Sequence, residues 1–128
     1  DRSVSRGLGD VYKRQIKHCW DEHHYVIDPH TACGYYLLEQ MPRDPLTPRV
    51  LLSTASPYKF PRACCDALGL DVPEDDFEAM RVLEQATNTV APTQLAELES
   101  KPVRFEDVCD VADMANYVES AAKKMATN

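Results

Sequence analysis

The chain lacks long apolar runs and an excess of positive charge. Its longest uninterrupted apolar stretch is four residues, at residues 35–38, whereas a membrane-spanning helix needs about 20. With 14 Lys and Arg against 21 Asp and Glu, the net charge is −7, so clustered cations for nucleic-acid phosphates are missing. We therefore expect neither membrane insertion nor nucleic-acid binding. Because the first residues lack the apolar core of a secretory signal, we expect a cytoplasmic protein.

Motifs of stand-alone catalysis and of metal binding are also absent. The sequence contains no P-loop, GxGxxG, HExxH or Ser-His-Asp order. Its five cysteines form no CxxC pair, which favours reduced, packed thiols. His18, His23 and His24 are close in sequence, but helical zinc sites use ligands four residues apart, and His18 lies five and six residues from the other two. We expect no metal site.

Length and composition predict one compact domain. The chain has 128 residues, of which 44% are hydrophobic and 27% charged, a balance typical of globular proteins. Residues 1–15 differ, because they have two glycines and no clear amphipathic period. They resemble translated sequencing-adaptor sequence and are predicted to be a non-native or disordered leader, with a natural N-terminus as the alternative. Residues 16–128 are predicted to form the domain.

Apolar periodicity and turn residues predict a helix-rich α/β fold with a few strands. Helices are expected at residues 11–24, 32–38, 61–68, 75–87 and 94–99, and from Asp107 or Asp110 onwards. Asp28 precedes Pro29, and Asp28, His30 or Thr31 can cap the second helix. Residues 50–52 form a continuous apolar run, which predicts a buried strand, and residues 103–105 alternate like a second short strand.

The polar residues that follow the apolar run form the candidate site. Ser53 and Thr54 come directly after residues 50–52, and the chain then turns at Ser56 and Pro57. A hydroxyl at the end of a strand is placed to meet a ligand in α/β proteins. Capping or turn formation is the alternative role for Thr54.

Two short motifs in order resemble the C-terminal part of threonine synthases. Residues 28–33 read DPHTAC, where the family has DPHTAV, and residues 54–60 read TASPYKF, which matches the family stretch TASPYKF or TAHPAKF. The weaker similarity covers residues 16–125. The resemblance implies the tryptophan synthase β-subunit-like α/β fold and the cofactor pyridoxal 5'-phosphate. It also implies conversion of O-phospho-L-homoserine and water to L-threonine and phosphate.

The resemblance also implies roles for individual residues. Thr54 would bind the cofactor by placing its hydroxyl against the pyridine nitrogen, where a neutral donor suits an unprotonated ring. Asp28, His30 and Thr31 would support the site from behind, next to Ser53, and Lys59 would face an anion. No catalytic residue is expected here, because the family carries its Schiff-base lysine upstream in an SFKD-like segment.

We therefore expect a threonine synthase fragment that is inactive without the missing N-terminal part of the same enzyme. One alternative is another pyridoxal-phosphate-dependent lyase of the same fold, such as a dehydratase. A second alternative, from a different class, is a non-catalytic module that binds a protein partner through apolar helix faces.

Overall fold

A computed structural model describes residues 8–126, and all of its regular secondary structure in that range is helical. Six α-helices and three short 3₁₀ turns follow one another along the chain. The α-helices are α1 Leu8–His23, α2 Pro29–Gln40, α3 Pro61–Leu68, α4 Asp76–Thr87, α5 Thr93–Ala96 and α6 Met114–Ala126, and the 3₁₀ turns are Pro57–Lys59, Glu97–Ser100 and Val111–Asp113. No helix among these residues is long and apolar enough to cross a membrane.

Local chemistry explains where the main helices begin and end. The Asp28 side chain caps α2, and the Asp75 side chain accepts a hydrogen bond from the Glu78 backbone to cap α4. Gly69 ends α3 with a φ of 72°, and Asn88 ends α4 with a φ of 52°, the left-handed conformation that glycine and asparagine tolerate best. These helices were expected from the sequence, and the structure confirms them.

In the core, α1 packs against α2 and α3, and α3 packs against α4. Each of these four helices contributes fully buried side chains. The core residues are Ile16, Cys19, Val26, Ile27, Ala32, Tyr58, Cys64, Cys65, Ala79, Met80, Leu83 and Ala91. Burial of a large apolar side chain such as Leu83 stabilises a fold by about 1.5–3 kcal/mol, so this cluster holds the helices together.

The predicted α/β fold with a few strands, of the tryptophan synthase β-subunit-like class, is wrong for this structure. Residues 8–126 contain no strand, and neither residues 50–52 nor residues 103–105 form one. A strand exists only through backbone hydrogen bonds to a neighbouring strand, and neither segment has such a neighbour among the described residues.

Residues 49–54, which we call the 49–54 segment, lie against α2 instead of in a sheet. The Arg49 guanidinium donates a hydrogen bond to the Leu38 carbonyl near the end of α2. Leu51 approaches α2 at Gly34, where a Cβ atom on Gly34 would come within 2.7 Å of the Leu51 Cδ1. Glycine at position 34 therefore lets the segment approach the helix closely.

Every second residue of the 49–54 segment, beginning with Arg49 and Leu51, contacts α2. The Thr31 hydroxyl lies 3.2 Å from Ser53 Oγ, so odd-numbered residues face the helix. Val50 and Leu52 are 79% and 77% exposed, and Thr54 is exposed as well. Alternation of this kind is the property of an extended chain. It places Thr54 on the side of the segment that faces away from α2.

Residues 101–126, the C-terminal region, differ from the four-helix body formed by α1, α2, α3 and α4. Residues 101–126 include no buried residue, and α6 has its main packing partner in the adjacent turn Val111–Asp113. Val103 and Phe105, in the second predicted strand, are 75% and 82% exposed. Apolar surface in this region has no cover within the described part of the chain.

The predicted leader lies partly outside the described residues. Residues 1–7 are not described, whereas residues 8–15 form the first half of α1. Tyr12 packs against the core cluster, and Ile16 is fully buried. Whether residues 1–15 are native to the protein stays a prediction.

Candidate functional site

A buried carboxylate organises the start of α2. Asp28 is fully buried, and its Oδ1 accepts hydrogen bonds from the backbone N–H groups of His30 at 2.9 Å and Thr31 at 3.3 Å. Its Oδ2 accepts a further hydrogen bond from the Thr31 hydroxyl. The local sequence explains this geometry, because the turn at Pro29 brings the helix's first free N–H groups towards the preceding side chain.

The surroundings of Asp28 keep it ionised. Burial alone raises the pKa of a carboxyl group, but hydrogen bonds from the Thr31 hydroxyl, the two backbone N–H groups and the His30 ring outweigh it. The pKa of Asp28 therefore lies below its ordinary value. The His30 Nδ1 lies 3.2 Å from Asp28 Oδ1. A charged oxygen with this many donors is a rigid acceptor, and it holds the Thr31 hydroxyl in a fixed direction.

The Thr31 side chain connects this cap to the 49–54 segment. Its hydroxyl contacts both Asp28 and, at 3.2 Å, the Ser53 Oγ. Because Thr31 donates its single hydroxyl proton to Asp28, Ser53 must donate to Thr31 and so cannot also donate to the Ala55 carbonyl 3.4 Å away. Asp28, Thr31 and Ser53 thus form one hydrogen-bonded series that ends beside Thr54.

Thr54 and Lys59 lie outside this series. Thr54 is an exposed residue directly after Ser53, and Lys59 is exposed in the turn Pro57–Lys59. His30 contacts the residue after Lys59, because its ring centroid is 5.0 Å from that of Phe60. The structure therefore brings Asp28, His30, Thr31 and Ser53 together by hydrogen bonds and leaves Thr54 and Lys59 at the surface. Their predicted roles stay predictions.

Sequence reasoning missed a second set of contacts beside the TASPYKF stretch. Tyr58 is only 6% exposed, and its hydroxyl lies 2.6 Å from Thr89 Oγ1 in the loop after α4. Tyr58 and Thr89 also line a cavity of about 210 Å³ together with Ser56 and residues of the loop after α1. No short-range pattern reveals such a contact, since the two residues are 31 positions apart.

The described residues offer no metal centre. No group of three or more His, Cys, Asp and Glu side chains among residues 8–126 could hold a metal ion. His18 instead approaches Glu39, with 3.0 Å between Nε2 and Oε1, and His23 approaches the Tyr35 hydroxyl at 3.3 Å. These histidines link α1 to α2.

The donor chemistry at Thr54 fits one edge of pyridoxal phosphate. A threonine hydroxyl can donate to an unprotonated pyridine nitrogen, and Thr54 is an exposed residue. The nearby carboxylate of Asp28 is fully buried and occupied by its own donors, so it does not compete as an acidic partner for the ring. The fit extends to the ring nitrogen alone, because the chain contains no glycine-rich phosphate loop.

Comparison with known proteins gives this site its context. The family model "Threonine synthase, C-terminal" matches residues 31–118, which is more than half of the chain. The chain belongs to this family. Both the α2 cap from Thr31 onwards and the 49–54 segment fall within the match, and Asp28 lies just before it.

Individual relatives of the threonine synthase C-terminal family agree with that match. A threonine synthase-like 2 protein from Pongo abelii is 42% identical over 71 residues, covering 54% of this chain and 14% of that protein. The Homo sapiens protein of the same name is 41% identical over the same length. Threonine synthase of Saccharomyces cerevisiae is 28% identical over 130 residues, covering 98% of this chain and 23% of that protein. The chain thus spans less than a quarter of each of these relatives. No solved structure matches it significantly.

Proposed function

We propose that this chain is the C-terminal part of a pyridoxal-phosphate-dependent lyase that converts O-phospho-L-homoserine and water to L-threonine and phosphate. Membership of the threonine synthase C-terminal family carries the proposal. The chain spans less than a quarter of its relatives, so the Schiff-base lysine and the phosphate-binding loop would come from the remainder of the same enzyme. Alone, the 128 residues would be inactive. We place the enzyme in threonine biosynthesis in the cytoplasm.

In this proposal Thr54 binds the cofactor at its pyridine nitrogen. When bound, pyridoxal phosphate supplies the electron sink for chemistry at the substrate's α-carbon. The Thr54 hydroxyl orients the ring and leaves its nitrogen without a full positive charge, because a hydroxyl is a far weaker acid than a carboxyl group. Lys59 is an exposed cation four residues further along the turn, and its proposed task is to attract an anion.

Asp28, Thr31 and Ser53 act on Thr54 through the backbone. The Asp28 carboxylate fixes the Thr31 hydroxyl, which holds Ser53 at 3.2 Å. Because Ser53 is bonded directly to Thr54, this series limits how far the Thr54 hydroxyl can move. His30 belongs to the same support, since it contacts both Asp28 and Phe60.

A second candidate function is another lyase reaction with the same cofactor, such as a dehydratase reaction. The observation behind it is that two of the relatives carry the name threonine synthase-like 2 and not threonine synthase, so the same fold can serve a related reaction. In this case the Thr54 contact would be unchanged, and the fate of the substrate would differ.

The test compares Thr54→Val and Thr54→Ser in the full-length protein that contains this chain. Valine has the shape of threonine without its donor, so we expect turnover to fall by about 5- to 150-fold, the equivalent of 1–3 kcal/mol for an unmade hydrogen bond. Serine should restore most of it. Thr93→Val, at the exposed start of α5, is the matched control and should behave as wild type.

Product analysis separates the candidate functions. Threonine and phosphate formed from O-phosphohomoserine support the synthase reaction, and a keto acid supports the dehydratase-type reaction. Failure of the full-length protein to take up pyridoxal phosphate would support the non-catalytic module. Wild-type turnover and cofactor absorbance in Thr54→Val would remove Thr54 from the site.

A further inference from the structure

Three hydroxyl groups form a continuous chain that starts at Tyr58 in the TASPYKF stretch, and we call it the hydroxyl chain. The Tyr58 hydroxyl lies 2.6 Å from Thr89 Oγ1, which lies 2.8 Å from Thr87 Oγ1. Thr87 then donates to the carbonyl of Leu83, at 2.7 Å, in the last turn of α4. The hydroxyl chain thus joins the segment around Thr54 to the C-terminal end of α4.

The carbonyl at one end fixes the direction of every proton in this chain. A carbonyl oxygen only accepts, so Thr87 donates its single hydroxyl proton to the Leu83 carbonyl. Thr87 must therefore accept from Thr89, and Thr89, whose proton is now used, must accept from Tyr58. A hydroxyl group has a single proton to donate and can accept through its lone pairs. Loss of either the Tyr58 or the Thr89 hydroxyl breaks the contact between these two residues, and loss of the Thr89 hydroxyl also breaks its contact to Thr87.

The loop that carries Thr89 is itself fixed. Asn88 begins it in the left-handed conformation, with a φ of 52°, and the Ala91 N–H donates to Glu84 at 2.7 Å. Ala91 is 6% exposed and belongs to the core. The loop is therefore held on both sides of Thr89, so a contact from Tyr58 to Thr89 is a contact to a fixed point.

Thr54 lies between two such fixed points along the chain. Ser53, one residue before it, is held by Thr31 on α2. Tyr58, four residues after it, is held by Thr89, and Ser56 caps the intervening turn by accepting from the Tyr58 backbone N–H at 3.2 Å. Side-chain contacts on both sides limit the movement of a short exposed stretch far more than contacts on one side.

We propose that Tyr58 and Thr89 are positioning residues that hold the Thr54 hydroxyl in place for the cofactor, through the hydroxyl chain to α4. This inference rests on the proposed function of Thr54. It adds two residues that neither the motif reading nor the family match assigns to the site, and it makes the end of α4 part of the cofactor's support.

The experiment uses four variants of the full-length protein, Tyr58→Phe, Thr89→Val, Thr89→Ser and the double variant Tyr58→Phe with Thr89→Val. Pyridoxal phosphate is titrated into each apoprotein, and the dissociation constant and the absorbance maximum of the bound cofactor are recorded. We expect Tyr58→Phe to raise the dissociation constant about tenfold, the effect of one lost hydrogen bond, and Thr89→Val, which also loses the contact to Thr87, to raise it at least as much. Thr89→Ser should restore wild-type binding.

The double variant tests whether the two hydroxyls act as one unit. Both single changes remove the contact between Tyr58 and Thr89, so the double variant should bind the cofactor no more weakly than Thr89→Val alone. Thr89 is exposed and Phe keeps the buried ring of Tyr58, so the apoproteins should stay folded at the temperature of the titration, with circular dichroism spectra like that of wild type. Thr54→Val is measured in parallel.

The outcomes separate this inference from the function on which it rests. If Thr54→Val alters cofactor binding but Tyr58→Phe and Thr89→Val do not, the positioning role is wrong and the proposed function stands. Additive effects in the double variant would also overturn the hydroxyl chain. Unchanged cofactor binding in Thr54→Val would overturn both proposals.

Discussion

Apolar residues of the same kind are buried in the four-helix body and exposed in the C-terminal region, residues 101–126. In the body, α1, α3 and α4 bury Ile16 and Leu83 to 1% exposure or less. Residues 101–126 contain no buried residue, and Val111 there is 85% exposed. Both regions form helices with apolar stripes. The difference shows that a stripe determines which face of a helix is available for packing, while burial requires a partner in the chain.

Cysteine reactivity should separate the two regions most strongly. Burial raises the pKa of Cys64 from 9.0 to about 12, which lowers its thiolate fraction about a thousandfold at neutral pH. Cys109 is exposed. In the native chain at pH 8, we expect iodoacetamide to modify Cys109 at least about a thousandfold faster than Cys64. Mass spectrometry of the labelled peptides measures both rates, and similar rates would contradict the buried core.

Paired truncations of apolar side chains should show the next largest effect. Leu83→Ala leaves a cavity in the core and should lower the free energy of unfolding by about 2–5 kcal/mol. Val111→Ala, in the C-terminal region, should change it by less than about 0.5 kcal/mol. Urea denaturation of the 128-residue chain followed by circular dichroism gives both values. Equal losses would mean that Val111 is packed in solution.

Removal of a buried acid should distinguish the regions in a pH-dependent manner. Asp28→Ala should cost about 1–2 kcal/mol, as loss of an N-cap does, whereas Asp107→Ala removes only the exposed contact to Tyr117 and should leave the urea midpoint unchanged. The pKa of Asp28 is lowered in the folded state, so its charge stabilises the fold fully above the unfolded pKa of about 4, and this stabilisation is lost as pH falls from there through the lower folded pKa.

The matched variant Asp28→Asn isolates that charge. It keeps an oxygen acceptor for the cap but cannot ionise, so the difference in unfolding free energy between wild type and Asp28→Asn should shrink as the pH is lowered from 6 to 3. A difference that is constant over this range would show that hydrogen bonding without charge explains the role of Asp28.

Deletion of the C-terminal region should have the smallest effect on stability. A chain that ends at Ser100 loses no buried side chain, because every residue from 101 to 126 is exposed or at most half-buried. We expect its thermal midpoint to lie within about 4 °C of that of the 128-residue chain, which corresponds to about 1 kcal/mol or less. Differential scanning calorimetry measures the midpoint, and a larger drop would show that α6 contributes to the core.

Helices could be predicted from the sequence because their signals are local. Asp28 before Pro29, Asp75 at the start of α4 and Gly69 at the end of α3 each act through the backbone within a few residues. The predicted strands failed for a different reason. An apolar run such as residues 50–52 indicates an extended chain with something to pack against, but it does not say whether the partner is a strand or, as at Gly34 and Leu51, a helix.

In the candidate site, too, local contacts could be predicted from the sequence and long-range contacts could not. The cap formed by Asp28 and Thr31 follows from neighbouring residues, and the structure contains it. The contact between Tyr58 and Thr89 joins residues 31 positions apart and has no periodicity, because hydroxyl groups pair wherever the fold brings them together. The packing of α3 against α4 and the fixed loop after α4 together bring the two residues close.

The alternating contacts of the 49–54 segment have a consequence for insertions and deletions. Odd-numbered residues face α2 and Thr54 faces outwards. The number of residues before Thr54 in this segment therefore decides on which side the Thr54 hydroxyl lies. Loss or gain of one amino acid between Arg49 and Ser53 would reverse the side-chain directions in the rest of this extended segment and aim Thr54 at the helix. In family members whose loop lengths vary elsewhere, the count between these two positions should change only in steps of two.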